Sequence, residues 1–122
     1  MTVVVPLGPA HVDLTGIRAG DQNLISVTVT AGGAPLDLTG KTVTAQARVT
    51  PTAAAALDSV VTVTDAAAGE LVIGWPGDAV TDILAGKPKW SGVWDVQIAE
   101  PGEDAQTLAA GKFTAEMDVT RP

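Results

Sequence analysis

The side chains able to do chemistry in this sequence are few and stand apart. Its single histidine, His11, lies in a stretch rich in proline and glycine, with Asp13 two residues on. An imidazole works as a base or a metal ligand only in company, with a second ligand or an oriented nucleophile beside it. No such companion stands near it, so His11 reads as a surface residue. Ser26, Ser59 and Ser91 lack the G-x-S-x-G elbow that exposes a serine nucleophile, and triad chemistry has no support. The absence of cysteine removes thiolate nucleophiles, disulfides and Cys-ligated metals together, and leaves stability to packing.

Acidic residues are more numerous, but Asp37, Asp65, Asp78 and Asp104 all neighbour turns or a helix start. There a carboxylate caps backbone N–H groups. No D-x-D-x-D-G run marks a calcium loop, and nothing singles out two carboxylates as a glycosidase pair. The glycines of Ala31-Gly-Gly and Trp75-Pro-Gly are turn material, since no long helix follows to hold a phosphate. The expectation is a protein with no catalytic, metal or cofactor site, and not an enzyme.

Recognition by contact is the remaining chemistry, and three tryptophans offer it, because an indole stacks on sugar rings and anchors interfaces. Trp75 shares parity with Leu71 and Ile73, and Trp94 with Val96 and Ile98, so both are read as core residues. Trp90 starts its strand after Lys87-Pro-Lys89 and is the indole left open to a partner.

The elements that must position these residues are short period-two segments. With 122 residues the chain fits one domain, able to bury roughly two thirds of its unfolded surface. Apolar residues make up 46% and aromatics only 3%, so Val, Leu, Ile and Ala must fill the core. Residues 1–20 form an arm with an extended apolar patch at Val3, Val4, Val5 and Leu7; residues 21–122 form the domain. Leu24–Thr30 alternates, with Ile25, Val27 and Val29 on one face. Leu36 and Leu38 sit in a connector suited to plugging an end. Thr42–Val49 puts Val43, Ala45, Ala47 and Val49 inward. The alanines after Thr52 suit a helical turn or a loop.

Ser59–Thr64 and Glu70–Trp75 read as a hairpin across Asp65-Ala-Ala-Ala-Gly69. Asp78 stands where an N-cap belongs, Val80, Ile83 and Leu84 share a helical face, and Gly86 stands at the C′ position. Trp90–Ala99, a short strand at Gln106–Ala109, and Lys112–Thr120 with Phe113, Ala115, Met117 and Val119 inward complete the series. Strands recurring about every ten residues point to a sandwich or barrel, and the fold expected is an antiparallel β-sandwich of about seven strands with one short helix and an extended N-terminal arm.

Net charge is −7, and the seven basic residues form no stripe for phosphates to follow, which argues against a nucleic-acid partner. The acidity serves solubility. The first apolar run has no positive residue before it and is broken by Pro6, Gly8 and Pro9, too early for a signal peptide or membrane span. The expectation is a soluble protein made in the cytoplasm, with no membrane partner.

Several blocks occur in order: Gly16-Ile-Arg-Ala-Gly-Asp21, Ala34-Pro-Leu-Asp-Leu-Thr-Gly-Lys-Thr-Val-Thr-Ala-Gln-Ala-Arg48, Trp75-Pro-Gly-Asp78, Gly92-Val-Trp-Asp-Val-Gln97 and Gly111-Lys-Phe-Thr-Ala-Glu-Met-Asp-Val-Thr120. Their order and spacing over residues 16–121 resemble the minor tail proteins of long-tailed phages infecting actinobacteria. More distantly, the chain is similar to the N-terminal domain of phage baseplate upper proteins. The resemblance implies an immunoglobulin-like fold, a place in the virion at the tail tip or baseplate, other virion proteins as partners, and a homo-oligomer, taken as a trimer. Baseplate upper proteins continue into receptor-binding segments, and with the sequence ending at Pro122 an adaptor role is expected. The alternatives are a capsid decoration protein and a carbohydrate-binding module using Trp90. Expected partner contacts are Val3, Val4, Val5, Leu7 and Trp90.

Overall fold

The inward sides of the period-two segments set the architecture. Ile25 lies opposite Ile73 and Val27 opposite Leu71 in one sheet, with Val29 and Trp75 on the same inner side, while Val43, Ala45, Ala47, Trp94, Val96, Ile98, Phe113 and Ala115 line the other, and all are buried. The structure, a computed structural model, describes residues 2–6, 10–20, 23–53 and 56–117. Among them run β1 (Thr2–Pro6), β2 (Ala10–His11), β3 (Leu14–Arg18), β4 (Asn23–Ala31), β5 (Ala34–Pro35), β6 (Thr42–Arg48), β7 (Leu57–Asp58), β8 (Val60–Asp65), β9 (Glu70–Trp75), the helix α1 (Gly77–Leu84), β10 (Lys89–Ala99) and β11 (Gln106–Glu116). Sheet A has the order β1-β4-β9-β8, with β5 on β4. Sheet B has the order β2-β11-β10-β6-β7, with β3 on β11. Mostly antiparallel neighbours in two facing layers make this a sandwich, not a barrel, with the immunoglobulin-like form that the resemblance implies.

The first residues are extended, but they lie on this domain's own sheets. β1 runs parallel to β4, from Thr2 opposite Ser26 to Pro6 opposite Thr30. β2 and β3 run parallel to β11, with His11 opposite Ala110 and Leu14 opposite Phe113. Leu14, Ile17 and Ala19 are buried in the common core, so packing begins well before residue 21. The apolar residues of this stretch are too widely spaced to show the strand by alternation, because Gly16 at φ 78° marks a bulge that shifts the register before Ile17 meets Ala115.

Three other expectations change. Val49 is 56% exposed, because β6 stops at Arg48 and the chain turns away. The strands read separately at 106–109 and 112–120 are one strand, β11, ending at Glu116; a bulge opposite Val96 and Gln97 leaves both Leu108 and Ala109 buried and hides the alternation. Val119 and the alanines at 54 and 55 lie outside the described residues. At the helix, Pro76 occupies the N-cap position and no side chain caps it; Asp78 sits one residue inside the first turn, where its charge favours the helix N-terminus. Ala85 takes the left-handed conformation at the C-cap and Gly86 follows at φ 81°. Val80 and Leu84 are buried beneath this connection between the sheets.

An aromatic cluster ties the layers. Trp75 meets Phe113 edge-on at 4.8 Å and Trp94 at 6.4 Å. Trp94 donates its indole N–H to the Val12 carbonyl at 2.7 Å. Trp94 lies opposite Gly111, and a Cβ at 111 would collide with that carbonyl, so the glycine is what lets β2 and β3 close this edge of sheet B. Asn23 joins the layers from the rim: its Oδ1 accepts from the Arg18 N–H at 3.0 Å, and its Nδ2 donates to the carbonyls of Arg18 at 2.9 Å and Trp75 at 3.3 Å.

Candidate interaction surfaces

The outer side of sheet B is charged and internally bonded. Register places His11, Ala110, Asp95, Gln46 and Asp58 in one row across five strands, with Lys112, Val93 and Arg48 in a parallel row. Gln46 Nε2 donates to Asp58 at 2.8 Å, Arg48 donates to Gln46 Oε1 at 2.8 Å, and Gln97 donates to Asp95 at 3.2 Å. A shallow hollow of about 350 Å³ lies between these rows, lined by Arg48, Val93, Asp95 and Lys112 among others. His11 is exposed at the edge and pairs with Asp13 at 2.9 Å. The Lys112 backbone N–H donates to the same carboxylate at 2.9 Å. That bond, with the charges of His11 and Lys112, holds the Asp13 carboxyl below its ordinary value.

The turn aspartates behave in part as expected. Asp37 Oδ1 accepts from the Thr39 hydroxyl at 2.6 Å and from the Thr39 N–H at 2.9 Å, which lowers its pKa. Asp65 accepts from the Ala68 N–H at 3.3 Å. No group of three His, Asp or Glu side chains arranged to hold a metal ion occurs among the described residues.

Trp90, read as the indole most open to a partner, is half-buried. Its ring meets Phe113 edge-on at 5.8 Å and lies over Gly92, where a Cβ would sit 2.5 Å from the indole. The missing side chain at 92 gives the ring a place to fold inward, a cue that strand parity alone does not carry. Val4 is 64% exposed on β1, opposite Thr28. Val3 and Val5 are backbone neighbours of Val27 and Val29. Leu7 lies outside the described residues.

The outer side of sheet A is of a different kind. Leu24, Ser26, Thr28 and Thr30 on β4, Val72 and Gly74 on β9, and Val60 and Thr62 on β8 point outward, and the charge lies at one end, where Glu70 stands opposite Asp65. Leu24 and Val60 flank Gly74 in one row and are 50% and 61% exposed. Sequence reasoning identified these strands but not this surface; its signal is the run Val60-Val-Thr-Val-Thr64, which carries no charge.

No family model matches the chain, and no curated protein matches it. Among solved structures it is similar to the N-terminal domain of phage TP901-1 ORF48, with a TM-score of 0.49 and 15% identity over 97% of this chain and 99% of that one. At that identity and TM-score the likeness adds nothing to the fold, which rests on this chain's own strand pairings. No helix among the described residues is long and apolar enough to cross a membrane.

Proposed function

We propose that the chain is a structural component of a phage virion, an assembly or adaptor module of the tail tip or baseplate that works by docking and not by catalysis. The observation that carries the docking role is the outer side of sheet A away from Asp65 and Glu70, which bears no charge and where Leu24, Val60 and Val4 are exposed. Apolar side chains grouped on a face otherwise made of Thr and Ser suit a contact that excludes water. The place in a tail rests on the ordered sequence blocks from Gly16 to Thr120 and their resemblance to phage tail proteins. Partners are then other virion proteins and further copies of the chain. Val3, Val4 and Val5 enter as the strand that finishes one side of sheet A, with the Val4 side chain offered to a neighbour.

The test is to locate the chain in purified particles with a bound label. Density at the tail tip is the expected result. Density on the capsid overturns the tail placement in favour of a decoration protein, and particles that lack the chain overturn the virion role itself. Deleting residues 2–9 is expected to lower incorporation, and unchanged incorporation would refute the part given to β1.

A further inference from the structure

We infer that β8 is the edge through which two copies of this chain associate, pairing antiparallel about a two-fold axis at Thr62. β8 ends sheet A. Its ladder to β9 sets Val60 opposite Gly74, Val61 opposite Ile73, Thr62 opposite Val72 and Val63 opposite Leu71, and no described strand lies on its other side. Outside that ladder, none of its backbone groups bonds to another described residue.

Open edges are ordinarily blunted by lysine, proline, a strong bulge, extreme shortness or a covering element. The other described edges carry such devices. β1 ends in Pro6, β7 has two residues and ends in Asp58, and the β2–β3 edge has a bulge at Gly16 and the charge of Arg18. From Val60 to Thr64 there is neither charge nor proline, and Val60 and Val63 are 61% and 39% exposed. The bulge follows Val63, at the end of the regular ladder, with Asp65 beyond it.

Two features make a second copy the occupant. A net charge of −7 opposes the approach of two copies wherever carboxylates meet, and the run from Ser59 to Thr64 carries none, with Asp58 and Asp65 standing only at its two ends. The strand is also self-complementary. For both outer faces to stay continuous, facing residues must share parity. Centring on Thr62 sets Val61 against Val63 of the second copy and Val60 against its Thr64. Asp65 then faces Ser59 of the second copy and not another carboxylate. The free span ends where the pairing ends, because the Ser59 N–H is already taken by the Ala45 carbonyl at 3.2 Å. Main-chain bonds across this edge would join the two A sheets into one, the geometry of strand addition.

This deepens the docking reading by naming partner and edge. Its test uses the isolated full chain, so a failure here leaves the particle location untouched. Sedimentation over a range of concentrations is expected to show a monomer–dimer equilibrium. Thr62→Lys would face one ammonium with another across the axis, and Thr62→Glu one carboxylate with another; each is expected to weaken the dimer at least about tenfold. Mixing the two variants is expected to restore dimers, because opposite charges then meet, whereas a folding defect would not be rescued. A chain that stays monomeric, a Thr62→Lys variant as dimeric as its parent, or a mixture that stays monomeric overturns the proposal. So does a dimer that survives Thr62→Lys and is lost when residues 2–9 are deleted, since that result assigns the contact to exchange of β1.

Discussion

On the outside of sheet A the row Leu24–Gly74–Val60 and the threonines beside it carry no charge. On the outside of sheet B the row from His11 through Asp95 and Gln46 to Asp58, together with Arg48 and Lys112, is dense with it. Both sheets bury the same kinds of residue inward, so the core does not separate them. The outward parity does. Polar side chains on sheet B bond to one another through Gln46, Arg48, Asp58, Asp95 and Gln97. On sheet A the small hydroxyls and exposed aliphatics ask little of water, and the sheet ends in β8, which among the described residues is paired on one side only. A face of the first kind tolerates solvent; a face of the second kind is better covered.

The sharpest way to break this contrast is to open the edge of sheet B that β2 and β3 close. Gly111→Ala forces a methyl into the Val12 carbonyl, and the expected loss is about 3 kcal/mol of unfolding free energy, the upper end for overpacking, read by urea denaturation. Next comes the clip between the layers. Asn23→Ala removes bonds to Arg18 and Trp75 and is expected to cost about 2 kcal/mol in the same assay. Leu24→Lys, by contrast, should leave unfolding within about 0.5 kcal/mol of the parent, because the side chain is half exposed, while lowering incorporation into particles. Arg48→Gln on sheet B is expected to change incorporation far less than Leu24→Lys; the reverse order would assign docking to the charged face.

The smallest effect is one of pH. Asp13 and Asp37 both titrate below their ordinary value of 3.8, through the Lys112 N–H and the Thr39 hydroxyl and N–H respectively. A carboxyl depressed in the folded state contributes stability that is whole above the unfolded value and disappears as pH falls through the folded one. Both residues are solvent-facing, so the slope they add is shallow. Asp37→Asn should flatten the fall in stability below pH 3.8, and an unchanged acid limb would contradict its cap role.

Period two made the inner layers legible: Ile25, Val27 and Val29, and Trp94, Val96 and Ile98, are buried as alternation requires. The helix was legible from Val80 and Leu84, although Pro76 took the capping position read for Asp78. Pairing was not legible. β2 is two residues long, too short to alternate, β3 is interrupted by Gly16, and β11 loses its alternation at Leu108 and Ala109. The candidate surface was hidden for a related reason. The sequence marks Val60–Thr64 as a strand, but whether a strand lies at the centre or the edge of a sheet depends on partners contributed from elsewhere in the chain. Trp90 is the most open of the three indoles, as read, but only in part, because its ring lies over Gly92, a packing that strand parity does not reveal.

Amide hydrogen exchange on the isolated chain, compared between dilute and concentrated solution, tests most directly whether sheet A is the docking layer. Alternate amides between Val60 and Thr64 are expected to exchange freely when dilute and to become protected on concentration, while those of β2, β3 and β7 stay unchanged. Protection that does not depend on concentration at β8, or that appears along the edges of sheet B instead, would contradict the account.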